Sequence, residues 1–212
     1  MKISLSVLSC DYANVKGSLQ GAFEAVDLIH LDVMDGVFVN NISFGPAFIE
    51  SLRNLTTKPF DTHLMIQYPE RYIERFAKAG SQYITFHVEA TCDVMNTINL
   101  IKQNGCKAGI SIKPGTPVED IKKYLPYLDM VLVMSVEPGF GSQPFMPIAI
   151  NKVKELKELK DKYNYNYLIN IDGGINLKTM PLVKDYLDVA VSGSYICGAD
   201  DPVDAANKLK NL

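Results

Sequence analysis

An α/β barrel of eight strand-helix units, a (β/α)8 architecture, is the fold that the 212-residue sequence predicts. Short β-rich runs alternate with helically spaced stretches about two to three dozen residues apart, the rhythm of βαβ units around a parallel sheet. The polar, chemistry-bearing residues fall at or just past the C-terminal ends of runs one, two, three, six, seven and eight, and only a closed ring brings those ends to one mouth. No GxGxxG follows a strand, so the competing doubly wound sheet lacks its dinucleotide fingerprint.

The runs, in order, are ISLSVLS, LIHLDVM, FDTHLMI, YITFHVE, AGISIKP, MVLVMSV, YLINIDG and VAVSGSY. Between them PAFIESLRNL has helical spacing, PERYIERFAKAG stops at Gly80, VMNTINLIKQNG stops at Gly105, and PVEDIKKYLPYL carries Pro117 where a first helical turn tolerates it. Prolines and glycines are spread out rather than clustered into a linker, so one domain over residues 1–212 is expected.

With 47% hydrophobic and 21% charged residues the composition is that of a soluble globular chain, and no apolar run approaches the roughly 18 residues of a membrane span. The opening MKISLSVLSC is broken by serines and runs into Asp11, which reads as a first strand rather than a leader. Cys10, Cys92, Cys106 and Cys197 lie far apart without a CxxC pair, which fits a reducing compartment, the cytoplasm. A net charge of -3 with no basic block excludes a nucleic-acid partner, and KVKELKELKDK is a mixed-charge helix face.

His30 and Asp32 in LIHLDVMDG, His63 in FDTHLMI and Asp172 in INIDGGI each stand at the end of a strand-like run. Side chains alternate along a strand, so His30 and Asp32 face the same way, as two ligands of one ion require. Two imidazoles and two carboxylates suit one divalent ion, Zn, Fe(II), Mn or Co, and the absence of cysteine from the set argues for a catalytic rather than a structural site. A second feature is a run of backbone-rich loops fit to cradle an anion. EPGFGSQPF follows strand six, Asp172-Gly173-Gly174 ends strand seven, and Gly193-Ser194 ends strand eight ahead of YICG, a possible single turn of helix. Any one of these alone reads as a turn, but three at neighbouring strand ends match the phosphate site of such barrels. With no Arg or Lys evident in the loops, the ligand expected is a phosphate monoester of a small molecule held by neutral amides.

The motifs SVLSCDYANV, HLDVMDGVFVNNISFGP, DTHLMI, FHVEA, PGTP, VMSVEPGFGSQPF, NIDGGIN and VSGSYI, taken in order, resemble the ribulose-phosphate 3-epimerase family from end to end. That resemblance implies a TIM barrel of the ribulose-phosphate-binding type, metal ligation by His30, Asp32, His63 and Asp172, and Asp32 and Asp172 as the acid/base pair. It implies substrate contacts from Ser6, His63, Gly139, Phe140, Gly141, Ser142, Gly173, Gly174, Gly193 and Ser194, with Met34, Met65 and Met134 lining the site. It also implies a homo-oligomer, dimer or hexamer, acting on a small sugar phosphate. Val37, Asn40, Leu5, Asn170 and Lys113 depart from the family's usual residues, and none of them replaces a ligand or an acid/base residue.

Inverting a carbon next to a ketone needs a proton removed from one face and another returned to the opposite face, which two carboxyls on opposite walls can do. The ion would stabilise the ene-diolate as charge builds on oxygen, and the methionines would keep water out. Without the resemblance, methionines on inward positions read as core filler. His87 reads as a hydrogen-bonded wall residue near the ligands, Asp35 and Asp61 as loop organisers, and Asp11 as a helix cap or loop residue. D-Ribulose 5-phosphate is the expected substrate. The alternatives are a D-allulose 6-phosphate 3-epimerase and a barrel that binds sugar phosphate without catalysis. Lyase and decarboxylase relatives need a lysine in a DxK pattern, where this chain has Met34.

Overall fold

Eight parallel strands close into a barrel in sequence order, each hydrogen-bonded to its neighbours and the eighth to the first. The computed structural model describes residues 1–212, the side chains of Ser18 and Gln20 excepted. The strands are β1 (Lys2–Ser6), β2 (Leu28–Met34), β3 (Phe60–Met65), β4 (Tyr83–His87), β5 (Lys107–Ile112), β6 (Met130–Met134), β7 (Leu168–Asp172) and β8 (Val189–Ser192). The helices are α1 (Val15–Ala25), α2 (Pro46–Leu52), α3 (Ile73–Lys78), α4 (Val94–Gln103), α5 (Ile148–Tyr163), α6 (Ser194–Cys197) and α7 (Pro202–Lys210). Among the described residues no helix is long and apolar enough to cross a membrane.

Strand alternation sorts the side chains into two cores. Ile3, Leu5, Ile29, Leu31, Leu64, Ile84, Phe86, Ile110, Val131, Val133, Ile169 and Ile171 form one apolar layer with helix residues such as Phe23, Ile49, Ile98, Val153 and Leu209. Both faces of the strands are therefore buried, which is why they read as near-continuous apolar runs. The alternate residues face the barrel axis. At its foot Leu28, Tyr83, Met130 and Val189 pack together with Leu168; above them lie Ser4, His30, Asp61, Thr85, Ser111 and Asn170, all without solvent exposure.

Local chemistry explains the element ends. Asn14 caps α1 through Gly17 N–H, Asp93 caps α4 through Asn96 N–H, and Asp201 caps α7. Asp11 is not the cap of α1; it accepts from the Ala13 amide in the preceding turn, the loop role. The stretch after Pro117 is a 3₁₀ segment, Val118–Tyr127, instead of the α-helix its spacing suggests. It contains Pro126, which has no N–H to give an α-helical bond. Lys152, on α5, donates to the carbonyls of Lys113, Pro114 and Thr116, tying the loop after β5 to that helix.

Candidate active site

The register of β2 on β3 opposes His30 to Asp61 and Asp32 to His63, so two adjacent strands deliver four inward polar groups in two layers. The expected ligands His30, Asp32, His63 and Asp172 come together: one donor atom from each lies within 4.8 Å of every other. His30 Nε2 and His63 Nδ1 each stand 3.1 Å from Asp32 Oδ1, and Asp172 Oδ2 is 3.8 Å from His30 Nε2. Their position needs one correction. His30 and Asp32 are the third and fifth residues of the seven-residue β2, inside the strand rather than at its end. Strand tilt and stagger in a closed barrel set different strands at different heights, so a layer can combine mid-strand and end-strand residues.

Asp61 requires a second correction. It does not organise a loop but lies inside the barrel with no exposure, its Oδ2 2.8 Å from His30 Nδ1 and 3.2 Å from the Asn170 amide nitrogen. Asp61 and His63 are two apart on β3 and must share a face, the signal that locates it. Asp35 does organise a loop, accepting from the amides of Val37, Phe38 and Gln67. His87 lies behind His63, with the two Nε2 atoms 3.0 Å apart, and its Nδ1 is 3.1 Å from Glu89. Glu89 also accepts from the Lys113 amide and the Thr116 hydroxyl. Both candidate ligand histidines, His30 and His63, therefore have a partner on the ring nitrogen turned away from the cluster. Such partners fix which nitrogen offers a lone pair.

The two carboxyls of the cluster differ in proton affinity. Burial disfavours charge on Asp32, but His30 and His63 outweigh it and hold this carboxyl well below the usual range. Its Oδ2 also accepts the Ser6 hydroxyl at 2.6 Å. Burial and then the Asp32 charge push Asp172 up to about 6. Burial also works against charge on His30, yet Asp32 and Asp61 hold its imidazole well above the ordinary value. His87 is pushed down to about 4, chiefly by burial, against the pull of Glu89. Glu89 is drawn down to about 2, burial being overcome by its bonds from His87, Thr116 and the Lys113 amide. Two imidazoles and two carboxylates at this spacing, with oriented ring nitrogens and one carboxyl made reluctant to ionise by its neighbour, fit a divalent cation.

Above the cluster opens a narrow cleft. Ser6, Asp32, Met34, Met65, Met134, Gly139, Phe140, Gly141, Ser142, Asp172, Gly173, Gly174, Gly193 and Ser194 all line it, while His30 and His63 lie fully buried beneath. No lysine or arginine is among its lining residues. Gly173 has φ +122, and a Cβ there would meet Val136 Cγ2 at 2.6 Å and Val136 N at 2.9 Å, so only glycine lets the loop after β7 pack against that after β6. Ser135 Oγ bonds the carbonyls of Asp172 and Gly173, and Asn41 bonds that of Gly139 at 2.7 Å, fixing the loops around the rim.

A family model described as "Ribulose-phosphate 3 epimerase family" matches residues 2–197. A protein of Bacillus subtilis named ribulose-phosphate 3-epimerase is 42% identical over 213 residues, which cover 99% of this chain and 98% of that one. One of the same name from Aquifex aeolicus is 40% identical over 209 residues, covering 98% and 94%. Among solved structures, KGPDC from Streptococcus mutans superposes with a TM-score of 0.75 at 15% identity, covering 99% of this chain and 95% of that one. A 3-hexulose-6-phosphate synthase does so with 0.73 at 18% identity, covering 100% and 99%. At such identities the likeness is one of fold.

Proposed function

The chain belongs to the ribulose-phosphate 3-epimerase family, and from that membership and the geometry of the cleft we propose that it interconverts D-ribulose 5-phosphate and D-xylulose 5-phosphate by inverting carbon 3 with Asp32 and Asp172 as its acid/base pair. The observation that carries this reading is the pair itself: two carboxyls, Asp32 from β2 and Asp172 from β7, converge at the floor of one cleft. Two carboxyls on different strands can serve as the base and the acid of one proton exchange.

Asp32 is the group prepared to be ionised. Ser6 holds one of its oxygens and the two histidines face the other, which fixes the orientation of this carboxyl at the cleft floor. Asp172, half-buried at the end of β7, returns a proton to the opposite face. For the reverse reaction the roles exchange, and because the two groups interact, a pH-rate profile reports the pair. A divalent cation held by His30, Asp32, His63 and Asp172 would supply Lewis-acid charge where negative charge builds on the substrate's oxygens. Met34, Met65 and Met134, each at most 4% exposed, make a water-poor wall beside the carboxyls.

The glycine loops at Gly139–Ser142, Gly173–Gly174 and Gly193–Ser194 support phosphate at the far rim, held by amides rather than by a cation. Met34 at the DxK position leaves the lyase chemistry without its lysine. The test is Asp172→Asn, with folding followed by circular dichroism: epimerisation should fall about 10²–10⁴-fold. A folded variant that turns over at the native rate would sink the two-carboxylate reading.

A further inference from the structure

Cys10 and Cys197 are 187 residues apart in sequence, yet their sulfurs stand 3.2 Å from each other. Cys10 closes the 3₁₀ turn Val7–Ser9 that follows β1, and Cys197 ends α6. Both are free thiols and both are half-buried, so a small oxidant can reach them. The other two cysteines differ on each count. Cys92 is exposed, and Cys106 is buried with its sulfur donating to the Ser81 carbonyl.

We propose that Cys10 and Cys197 form a reversible oxidation site, closing to a disulfide under a hydroperoxide and reopening under a dithiol reductant. The sulfurs need only approach by about 1.1 Å to reach the S–S bond length of about 2.05 Å. The two thiols are unequal. The hydrogen bond the two sulfurs share draws the Cys197 thiol down and pushes Cys10 up, which assigns Cys197 the attacking role and Cys10 the resolving one. In the first step the Cys197 thiolate attacks one peroxide oxygen and the O–O bond breaks. With one proton taken up, Cys197 becomes a sulfenic acid and water leaves. In the second step the Cys10 sulfur attacks the sulfenic sulfur, its S–H proton leaves with the hydroxyl as water, and the disulfide forms. The sum is two thiols and one hydrogen peroxide giving one disulfide and two waters.

The site joins two pieces of the cleft rim. Gly193, just before α6, packs so closely on β1 that a Cβ there would meet Ser6 Cβ at 3.1 Å and Ser6 O at 3.3 Å. Ser6 in turn holds Asp32. Drawing Cys197 toward Cys10 therefore moves the Gly193–Ser194 side of the rim against Ser6. On the functional reading above, which this consequence rests on, oxidation weakens sugar-phosphate binding.

The test uses zinc-loaded protein, since zinc itself does not change oxidation state. After hydrogen peroxide, blocking of free thiols and trypsin, the peptides 3–16 and 185–208 should appear joined, two hydrogens lighter than their sum, and should separate on dithiothreitol. In Cys10→Ser the sulfenic acid should persist on Cys197 and be captured by dimedone. Recovery of the two peptides unjoined, with their thiols still free or separately over-oxidised, overturns the site. KM of the oxidised protein should rise about threefold or more and return on reduction, because displacements of about 1 Å in organised sites are felt strongly. Cys10→Ser should show no such reversible change. Joined peptides with KM unmoved would overturn the consequence for binding. The peptide map does not depend on which substrate is turned over, so it stands or falls apart from the proposed function.

Discussion

Replacing His87 with leucine isolates what the buried hydrogen-bond chain behind His63 does for metal binding. His63 Nε2 meets His87 Nε2 at 3.0 Å, and His87 Nδ1 meets Glu89 at 3.1 Å. Only one arrangement of protons along this chain leaves His63 Nδ1 with a bare lone pair: His63 donates to His87, and His87 donates to Glu89. With leucine at position 87, His63 is released to carry its proton on Nδ1 and donate it to Asp32 Oδ1, 3.1 Å away. An incoming cation must then displace a hydrogen bond to a carboxylate, worth about 1.5–3 kcal/mol. Affinity should fall about 10–100-fold, the usual loss when the partner of a ligating histidine is removed. The metal-free fold changes little, because the same proton shift spares a buried N–H from being stranded. The assay is titration of metal-free protein with cobalt or zinc against a chromophoric chelator, with thermal melts alongside. His87→Gln, whose amide oxygen accepts the Nε2 proton, should recover most of the loss. A well-folded His87→Leu protein that binds within about twofold of the native affinity would refute the reasoning.

Two further outcomes follow from the same geometry. In the metal-free protein Asp172, raised from 3.8 to about 6, keeps a proton that the unfolded chain has already released, so stability falls as pH climbs from about 4 through 6. At 1.36 kcal/mol per unit this amounts to about 2–3 kcal/mol at neutral pH. Metal-free Asp172→Asn should therefore melt above the native protein at pH 8, near it at pH 4, and below it once a divalent metal is added; a variant less stable at every pH would contradict this. Lys152→Met leaves three carbonyls of the loop after β5 without their ammonium, which should cost about 2–4 kcal/mol and lower Tm by about 5–15 °C. An unchanged melting curve would show that the loop does not depend on that cation.

The barrel was legible because its information is local. Strands buried on both faces are continuous apolar runs, and the helices between them end at residues such as Gly80 and Gly105, which adopt positive φ. The four candidate ligands could be singled out because residue type and two-residue spacing narrow the chemistry, and the fold brings them into one cluster. What sequence reasoning missed depends on registry around the ring. Asp61 read as a loop residue until β2 and β3 were aligned, when it stood opposite His30. The height of His30 within β2 depends on strand stagger, which no single segment encodes. The 3₁₀ character after Pro117 is not written in the helical spacing; Pro126, which has no N–H to give, is the one local departure from a helix within it. The approach of Cys10 to Cys197 spans nearly the whole chain and appears only when β8 closes on β1.

The most direct test of the central claim is the origin of the hydrogen on carbon 3 of the product, followed by proton NMR in D2O during early turnover of ribulose 5-phosphate by the metal-loaded protein. Two carboxyls on opposite faces predict that each xylulose 5-phosphate formed carries solvent deuterium at carbon 3. Product that retains the substrate's own proton would mean one group carries it from face to face, and the two-aspartate account would be wrong.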